Sequence, residues 1–337
     1  MKKPGKILFW TVVTLVILLV LGISLTIGWR PFIGPKARPL TSRQFEPTPQ
    51  RLERGRYLFS STAGCTGCHS PHDWNTHGGP IIPGHSAVGQ VMDFTNLPGR
   101  IVAPNITPDP ATGTGTWTDD QLARAIREGI GHDGKALFPM MPYQNLSHLS
   151  DEDLASLVVY MRSLPPVKNV VPKTEIIFPV KYLIRSVPQP ITAPVSSPDR
   201  SDGLKWGEYM VTIASCNACH TPQSRGEAKA GLEYSGGFTL DGPWGSVASA
   251  NITPDATGIS YYDEALFIQA MRTGYVKARK LSSIMPFEEF GGLTDDDLKA
   301  MFAYLRTLKP VKHRVDNSLP PTYCKLCQLR HGAGDQN

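Results

Sequence analysis

The chain carries few charges for its length, and none are gathered into a nucleic-acid-binding face. Asp, Glu, Lys and Arg make up 19% of 337 residues, the formal net charge is +5, and no basic stripe is interleaved with aromatics. That excludes nucleic acid as a partner. There is also no cysteine without a near neighbour. The six fall as three Cys-x-x-Cys pairs, which excludes a scaffold of scattered disulfides and points to metal, redox or cofactor chemistry. Charge is missing altogether from Ile7 to Trp29, a stretch of 23 residues. As a helix rising ~1.5 Å per residue it would span a hydrocarbon core of ~30 Å. The run is longer than a signal-peptide core and no small-x-small cleavage site follows it, so residues 1–30 read as a membrane anchor. Lys2, Lys3 and Lys6 precede it and Arg30, Lys36, Arg38 and Arg43 follow, leaving its orientation open. What the chain has in excess is 30 prolines and 31 glycines, which predict short helices joined by long loops. Residues 31–49 read as a Pro-rich extended tether.

The rest of the chain is one unit written twice. Cys65-Thr66-Gly67-Cys68-His69 recurs as Cys216-Asn217-Ala218-Cys219-His220, with Gly55 and Tyr57, then Gly207 and Tyr209, upstream. Asn105-Ile106-Thr107-Pro108-Asp109 recurs as Asn251-Ile252-Thr253-Pro254-Asp255, and Met141-Pro142 as Met285-Pro286. Leu149-Ser150-Asp151-Glu152-Asp153-Leu154 matches Leu293-Thr294-Asp295-Asp296-Asp297-Leu298. The offset drifts only from 151 at the cysteines to 144 at the methionines. Two domains follow, 50–168 and 203–313, with a Pro-rich linker at 169–202 and a tail at 314–337.

Each domain reads as helical. A first helix carries Arg51 to Phe59, or Leu204 to Ile213, into the cysteine pair. A middle helix runs from a cap at Thr118 or Asp119 to Glu128, or from Asp263 to Thr273. Ser150 and Thr294 cap the last helix, with Asp153 and Asp297 favourably placed for the helix dipole. Leu154, Leu157, Val158 and Met161, mirrored by Leu298, Met301, Phe302 and Leu305, form its buried stripe.

Cys-x-x-Cys-His is a haem-attachment signature. Two thiols one helical turn apart can each form a thioether to the same porphyrin, and the adjoining histidine then meets the iron. A zinc site would need further ligands, and the second domain holds no histidine besides His220 except His313. The opposite iron ligand decides between a closed electron carrier and an open catalyst. Met141 and Met285 stand in matched positions, each fixed by a following proline, and thioether sulfur opposite His raises the potential. Met140 has no sulfur counterpart, because Ile284 stands there.

These motifs, spread over residues 50–313, resemble the class I cytochrome c domains, in particular tandem-haem membrane cytochromes and the cytochrome subunits of periplasmic alcohol and aldehyde dehydrogenases. Those subunits usually carry three haem units where this chain has two. The resemblance implies a mainly α fold, an N-terminal transmembrane helix followed by two tandem cytochrome c-like domains wrapped around covalent haem. It implies haem c at Cys65/Cys68 and at Cys216/Cys219, with His69 and His220 proximal and Met141 and Met285 distal. It also implies maturation outside the cytoplasmic membrane, hence a single-pass protein with its globular part on the periplasmic side. The expected function is electron transfer, without catalysis of its own, to redox partners such as a dehydrogenase subunit, a quinol-linked complex or a terminal oxidase. A dihaem peroxidase with one exchangeable ligand is the rival. A haem sensor would need an output domain, for which 314–337 is too short.

Other features suggest less. His72, His77, His85, His132 and His148 crowd the first domain and read as loop histidines, although one of them could replace Met141 at the iron. The Asn-Ile-Thr repeats read as loop structure rather than glycosylation sites, and Trp74, Trp117 and Trp244 as core aromatics. The third pair, Cys324 and Cys327, is followed by Gln328 instead of histidine. With His331 it offers three metal ligands but no clear fourth, so a disulfide is the expectation.

Overall fold

The computed structural model describes residues 3–337; Met1 and Lys2, at the start of the expected anchor, lie outside them. An apolar helix, Lys3–Leu25, opens the chain, and none of its side chains from residue 4 on is buried. Pro4–Leu25 is 22 residues, about 33 Å at ~1.5 Å per residue, long and apolar enough to cross a membrane. It ends four residues short of Trp29.

The tether is extended, as its prolines predict, but it is not free. Arg38 sets its guanidinium on both carboxylate oxygens of Asp120 at 2.8 and 2.7 Å and on Glu128 at 2.7 Å. The Thr41 and Phe45 amides donate to Asp120 and Asp119. Asp120 is fully buried and Glu128 nearly so, while Arg38 is 13% exposed. Burial alone would raise the Asp120 carboxyl; Arg38 and the Thr41 amide outweigh it and hold the group near 2. A depressed folded value means that this stabilisation is present above the unfolded carboxyl pKa of about 4 and fades as pH falls toward 2. Arg38→Ala should therefore destabilise the first unit by about 3 kcal/mol, the lower end for orphaning a buried charge. The loss should shrink in melts run at progressively lower pH through that window.

Two helical units follow. In the first, Pro49–Tyr57, capped by Thr48, runs into a π-helical turn at Leu58–Thr62 and then the short helix Cys65–His69. The expected first helix thus starts earlier than Arg51 and loosens at Leu58. In the second unit Gly203–Ile213 leads to Cys216–His220. The middle helices are Asp119–Glu128, with Thr118 and Gln121 forming a capping box, and Glu264–Thr273, capped by Asp263. The last helices, Asp151–Ser163 and Asp295–Thr307, begin at the Ser150 and Thr294 caps. Strands are minor. The longest pair, Thr239–Gly242 with Gly245–Ala248, forms a hairpin in the second unit's wrapping loop.

First and last helices cross so closely that only glycine fits. A Cβ on Gly55 would lie 2.0 Å from the Ser156 carbonyl oxygen, and one on Gly207 2.0 Å from that of Ala300. Gly207→Ala must push the helices apart, so a loss of about 1–3 kcal/mol is expected in a chemical melt, with Gly203→Ala, where a Cβ meets nothing, as the control.

One hydrophobic core runs through both units, from Leu58 and Leu157 to Met210 and Leu305. Polar pairs join the units with near two-fold symmetry. Asp153 is gripped by Arg54 of its own unit and accepts a hydrogen bond from Tyr209 of the other at 2.6 Å. Asp297 is held by Trp206 of its own unit at 2.6 Å and by Tyr57 of the other. Each tyrosine oxygen also accepts the backbone N–H of the other unit's cap residue, Ser150 or Thr294. The linker is not wholly irregular: Glu175–Ile176 pairs with Gly99–Arg100, and the short helix Val180–Leu183 packs on Arg30–Ile33.

Candidate functional site

The two Cys-x-x-Cys-His segments take the same shape. Each is a five-residue helix entered through a left-handed residue, Gly64 or Ser215, which places its thiols three apart and therefore on one face. Cys65, Cys68 and Cys216 are half-buried, Cys219 is exposed, and none is in a disulfide. His69 Nδ1 lies 2.7 Å from the Pro104 carbonyl and His220 Nδ1 2.7 Å from that of Ala250. A carbonyl only accepts, so Nδ1 carries the proton and Nε2 keeps its lone pair. Burial lowers both imidazole pKa values, the carbonyl bond opposing it only in part; the neutral, ligating form is favoured.

The carbonyls that orient these histidines directly precede the Asn-Ile-Thr repeats, which explains the repeats. Asn105 accepts from Thr107 and donates to the Val167 carbonyl at 2.7 Å, and Asn251 does the same with Thr253 and Val311 at 2.8 Å. Both asparagines are buried. These are loop fasteners.

Met141 and Met285 sit in matching turns. Each amide donates back to Phe138 or Ser282, and each carbonyl accepts from Tyr143 or Phe287. Both methionines, with Cys65 and Cys216, border the common core, whereas Met161 and Met301 lie inside it. Four buried hydroxyls, those of Thr62, Ser215, Tyr143 and Ser282, have no partner among the described residues. Each is within three residues of an attachment cysteine or a turn methionine. Paired thiols, an imidazole with a free Nε2 and orphaned polar atoms around them fit a covalently held haem.

Each segment packs against the other unit. A Cβ on Gly67 would lie 3.0 Å from the Glu289 carboxylate, and Asn217 bonds to Asn145. Burial pushes the Cys68 thiol up to about 11, with Glu289 and Cys219 adding to it. Glu289 itself is buried, its carboxyl raised by desolvation. Nothing in the sequence marks it, because Asn145 stands at the matching position of the first unit.

Of the further first-unit histidines, all but His77 are otherwise engaged. His72 faces the Gly67 and Gly79 carbonyls, His85 that of Pro83 and His148 that of Asn145, while His132 lies tilted against Trp117. His77 lies against Tyr275 and Phe287 of the second unit, both ring nitrogens unpartnered among the described residues. Trp74 and Trp244 are not core residues but a half-buried cluster joining the units, edge-on at 4.8 Å with Phe94 alongside. Cys324 and Cys327, for which the sequence suggests a disulfide, are unbonded and buried; the turn between them gathers both sulfurs with His313 and His331 instead.

The family model described as "Cytochrome c" matches residues 52–165 and 207–309, one match on each unit. The chain belongs to the cytochrome c family. Similar curated proteins include the fructose dehydrogenase cytochrome subunit of Gluconobacter japonicus, 32% identical over 78% of this cytochrome and 54% of that protein. The cytochrome c subunit of the quinone-dependent alcohol dehydrogenase of Gluconacetobacter polyoxogenes is 28% identical over 77% of this cytochrome and 56% of that protein. A diheme cytochrome c-type protein of Cereibacter sphaeroides is 26% identical over 77% of this cytochrome and 86% of its own length. The cytochrome therefore spans about half the length of these two dehydrogenase subunits and most of the dihaem protein. Family membership carries covalently bound haem c with it.

Proposed function

We propose that this cytochrome is a membrane-anchored dihaem electron carrier that serves a dehydrogenase, catalysis lying with the partner. The observation that carries the reading is the duplicated set of two thiols plus an imidazole locked with Nε2 free. Cys65 and Cys68 would hold one haem c and Cys216 and Cys219 the other, in units taken as residues 50–168 and 203–313. His69 and His220 would ligate through Nε2, with Met141 and Met285 as the opposite ligands. Haem c supplies a one-electron couple at each site. The Pro104 and Ala250 carbonyls hold the imidazoles in the ligating tautomer. Because each attachment helix packs against the other unit, electrons would pass between the haems within one chain.

Exposed Phe32, Ile33, Ile177 and Phe178 lie in the segments beside the end of the apolar helix, where a membrane surface would cover them. That supports a membrane anchor; the periplasmic side for the globular part rests on haem c being attached outside the cytoplasmic membrane. A redox titration of the full chain in detergent is expected to show two low-spin haems that cycle reversibly without consuming peroxide. A high-spin ferric signal from one haem, with peroxide turnover, would identify a peroxidase instead. Copurification from solubilised membranes should bring down a dehydrogenase whose substrate reduces both haems.

A further inference from the structure

Residues 314–337 fold back onto the second unit. Pro321–Tyr323 pairs antiparallel with Arg330–Gly332, and the turn between them carries the third cysteine pair. The turn is tight: the Cys327 amide donates to Cys324 Sγ at 3.4 Å, the Gln328 amide to the Cys324 carbonyl, and Gln328 takes a left-handed φ of 57°. His331 lies on the returning strand and His313 at the end of the second unit. All four side chains are shut away from solvent, with exposures of 0% for Cys324, Cys327 and His313 and 1% for His331.

Their ligand atoms all lie within 4.8 Å of one another. His313 Nε2 is 3.0 Å from His331 Nε2 and 3.5 Å from Cys324 Sγ. Zinc bonds of ~2.0–2.1 Å to nitrogen and ~2.3 Å to sulfur give a tetrahedron with edges of roughly 3.3 Å between nitrogens and about 3.5 Å between nitrogen and sulfur. The His313–Cys324 spacing matches such an edge, the His313–His331 spacing falls a little short of one, and all four ligand atoms are gathered closely enough for one ion.

The protonation pattern points the same way. His313 Nδ1 lies 2.9 Å from the Ser235 carbonyl and His331 Nδ1 2.9 Å from that of Gly332. Both Nδ1 atoms must donate, so in the neutral rings both Nε2 atoms present lone pairs to each other at 3.0 Å. Two facing lone pairs repel unless a cation lies between them, and metal-ligating histidines donate their other N–H in this way. The first unit supplies an internal check. Asn169 occupies the position of His313, its amide bonded to Thr112 as that of His313 is to Thr257, and its Nδ2 donates to the Val88 carbonyl at 2.9 Å. The second unit keeps that donor bond with an imidazole and gains a free nitrogen.

We propose that His313, Cys324, Cys327 and His331 bind one zinc ion in a closed Cys2His2 site that fastens the tail to the second unit. With four protein ligands and no open position the site is structural. Two sulfurs and two nitrogens in a tetrahedral arrangement select zinc over oxygen-seeking cations. It also braces one haem pocket and not the other. His313 holds Ser235, the Gly236 amide donates to the His220 carbonyl at 2.7 Å, and a Cβ on Gly237 would strike the His313 ring at 2.6 Å. The clamp therefore backs the loop behind His220, and the first unit has only Asn169 in its place.

The test is elemental analysis of the purified full chain by mass spectrometry, with X-ray absorption at the zinc edge. One tightly held zinc per chain is expected, with two sulfur neighbours at ~2.3 Å and two nitrogens at ~2.0–2.1 Å. Cys324→Ser with Cys327→Ser should take zinc from one per chain to near zero while covalent haem, attached elsewhere, is unchanged. The wild-type readings do not depend on that variant folding, and haem content is scored separately from zinc. A wild-type chain without zinc, zinc with only oxygen and nitrogen neighbours, iron in place of zinc at these ligands, or a Cys324–Cys327 disulfide seen as a mass lower by two hydrogens would each overturn the proposal.

Discussion

Replacing Cys216 and Cys219 together by serine should halve covalent haem and unfold the second unit. Cys216 and Met285 border the hydrophobic core that runs through both units, and His220 is 9% exposed. Without the haem that face of the core has no partner. A void of even ~300 Å³, small for a cofactor pocket, costs roughly 7 kcal/mol at ~24 cal/mol per Å³. That is comparable with the whole stability of an ordinary domain, about 5–15 kcal/mol. The first unit should keep its haem but melt earlier, because its Tyr57–Asp297 and Tyr209–Asp153 contacts are lost with its neighbour. Cys65→Ser with Cys68→Ser should give the mirror result. Haem per chain and circular-dichroism melts read both effects. A variant that kept two covalent haems would refute the attachment sites.

The second large effect concerns potential. Met285→His would exchange the proposed sulfur ligand for an imidazole, and sulfur opposite histidine is the arrangement that raises the potential. The potential of one haem should fall by on the order of a few hundred mV, within the ~0.8 V range that axial ligands command, while the other holds. Met285→Ala should leave that iron five-coordinate and high-spin. Met301→Leu is the control. Met301 is buried in the core, so a swap of similar volume should cost under ~1.5 kcal/mol and leave both potentials in place. Equal potentials in Met285→His and wild type would mean that another group holds the distal position, and His77, beside Phe287 with both ring nitrogens unpartnered among the described residues, is the first to test.

Repetition made the unit and its candidate haem residues readable from the sequence alone. A motif written twice in one order fixes which features belong to the unit, so the attachment segments, the turn methionines and the Ser150 and Thr294 caps stand where spacing puts them. Contacts between the copies left no such trace. Tyr57 and Tyr209 repeat because each serves the other unit, yet a repeat looks the same whether its residues face inward or across. Asp153 and Asp297 read as helix-dipole residues and prove also to be the joints. Arg38 sits among prolines that suggest a free tether, and only the fold brings Asp120 to it. The tail cluster was hidden for a similar reason. Cys324, Cys327 and His331 lie within eight residues, but the fourth member, His313, belongs to the preceding unit and shows its purpose only when compared with Asn169.

The most direct measurement is made on the intact chain, expressed in a host that attaches haem, denatured and extracted with acidified acetone. Haem held by thioethers at both cysteine pairs stays with the polypeptide, so the pyridine haemochrome should count two haems for each chain. Colour that leaves with the solvent, or a protein colourless from the start, would contradict the account at its root.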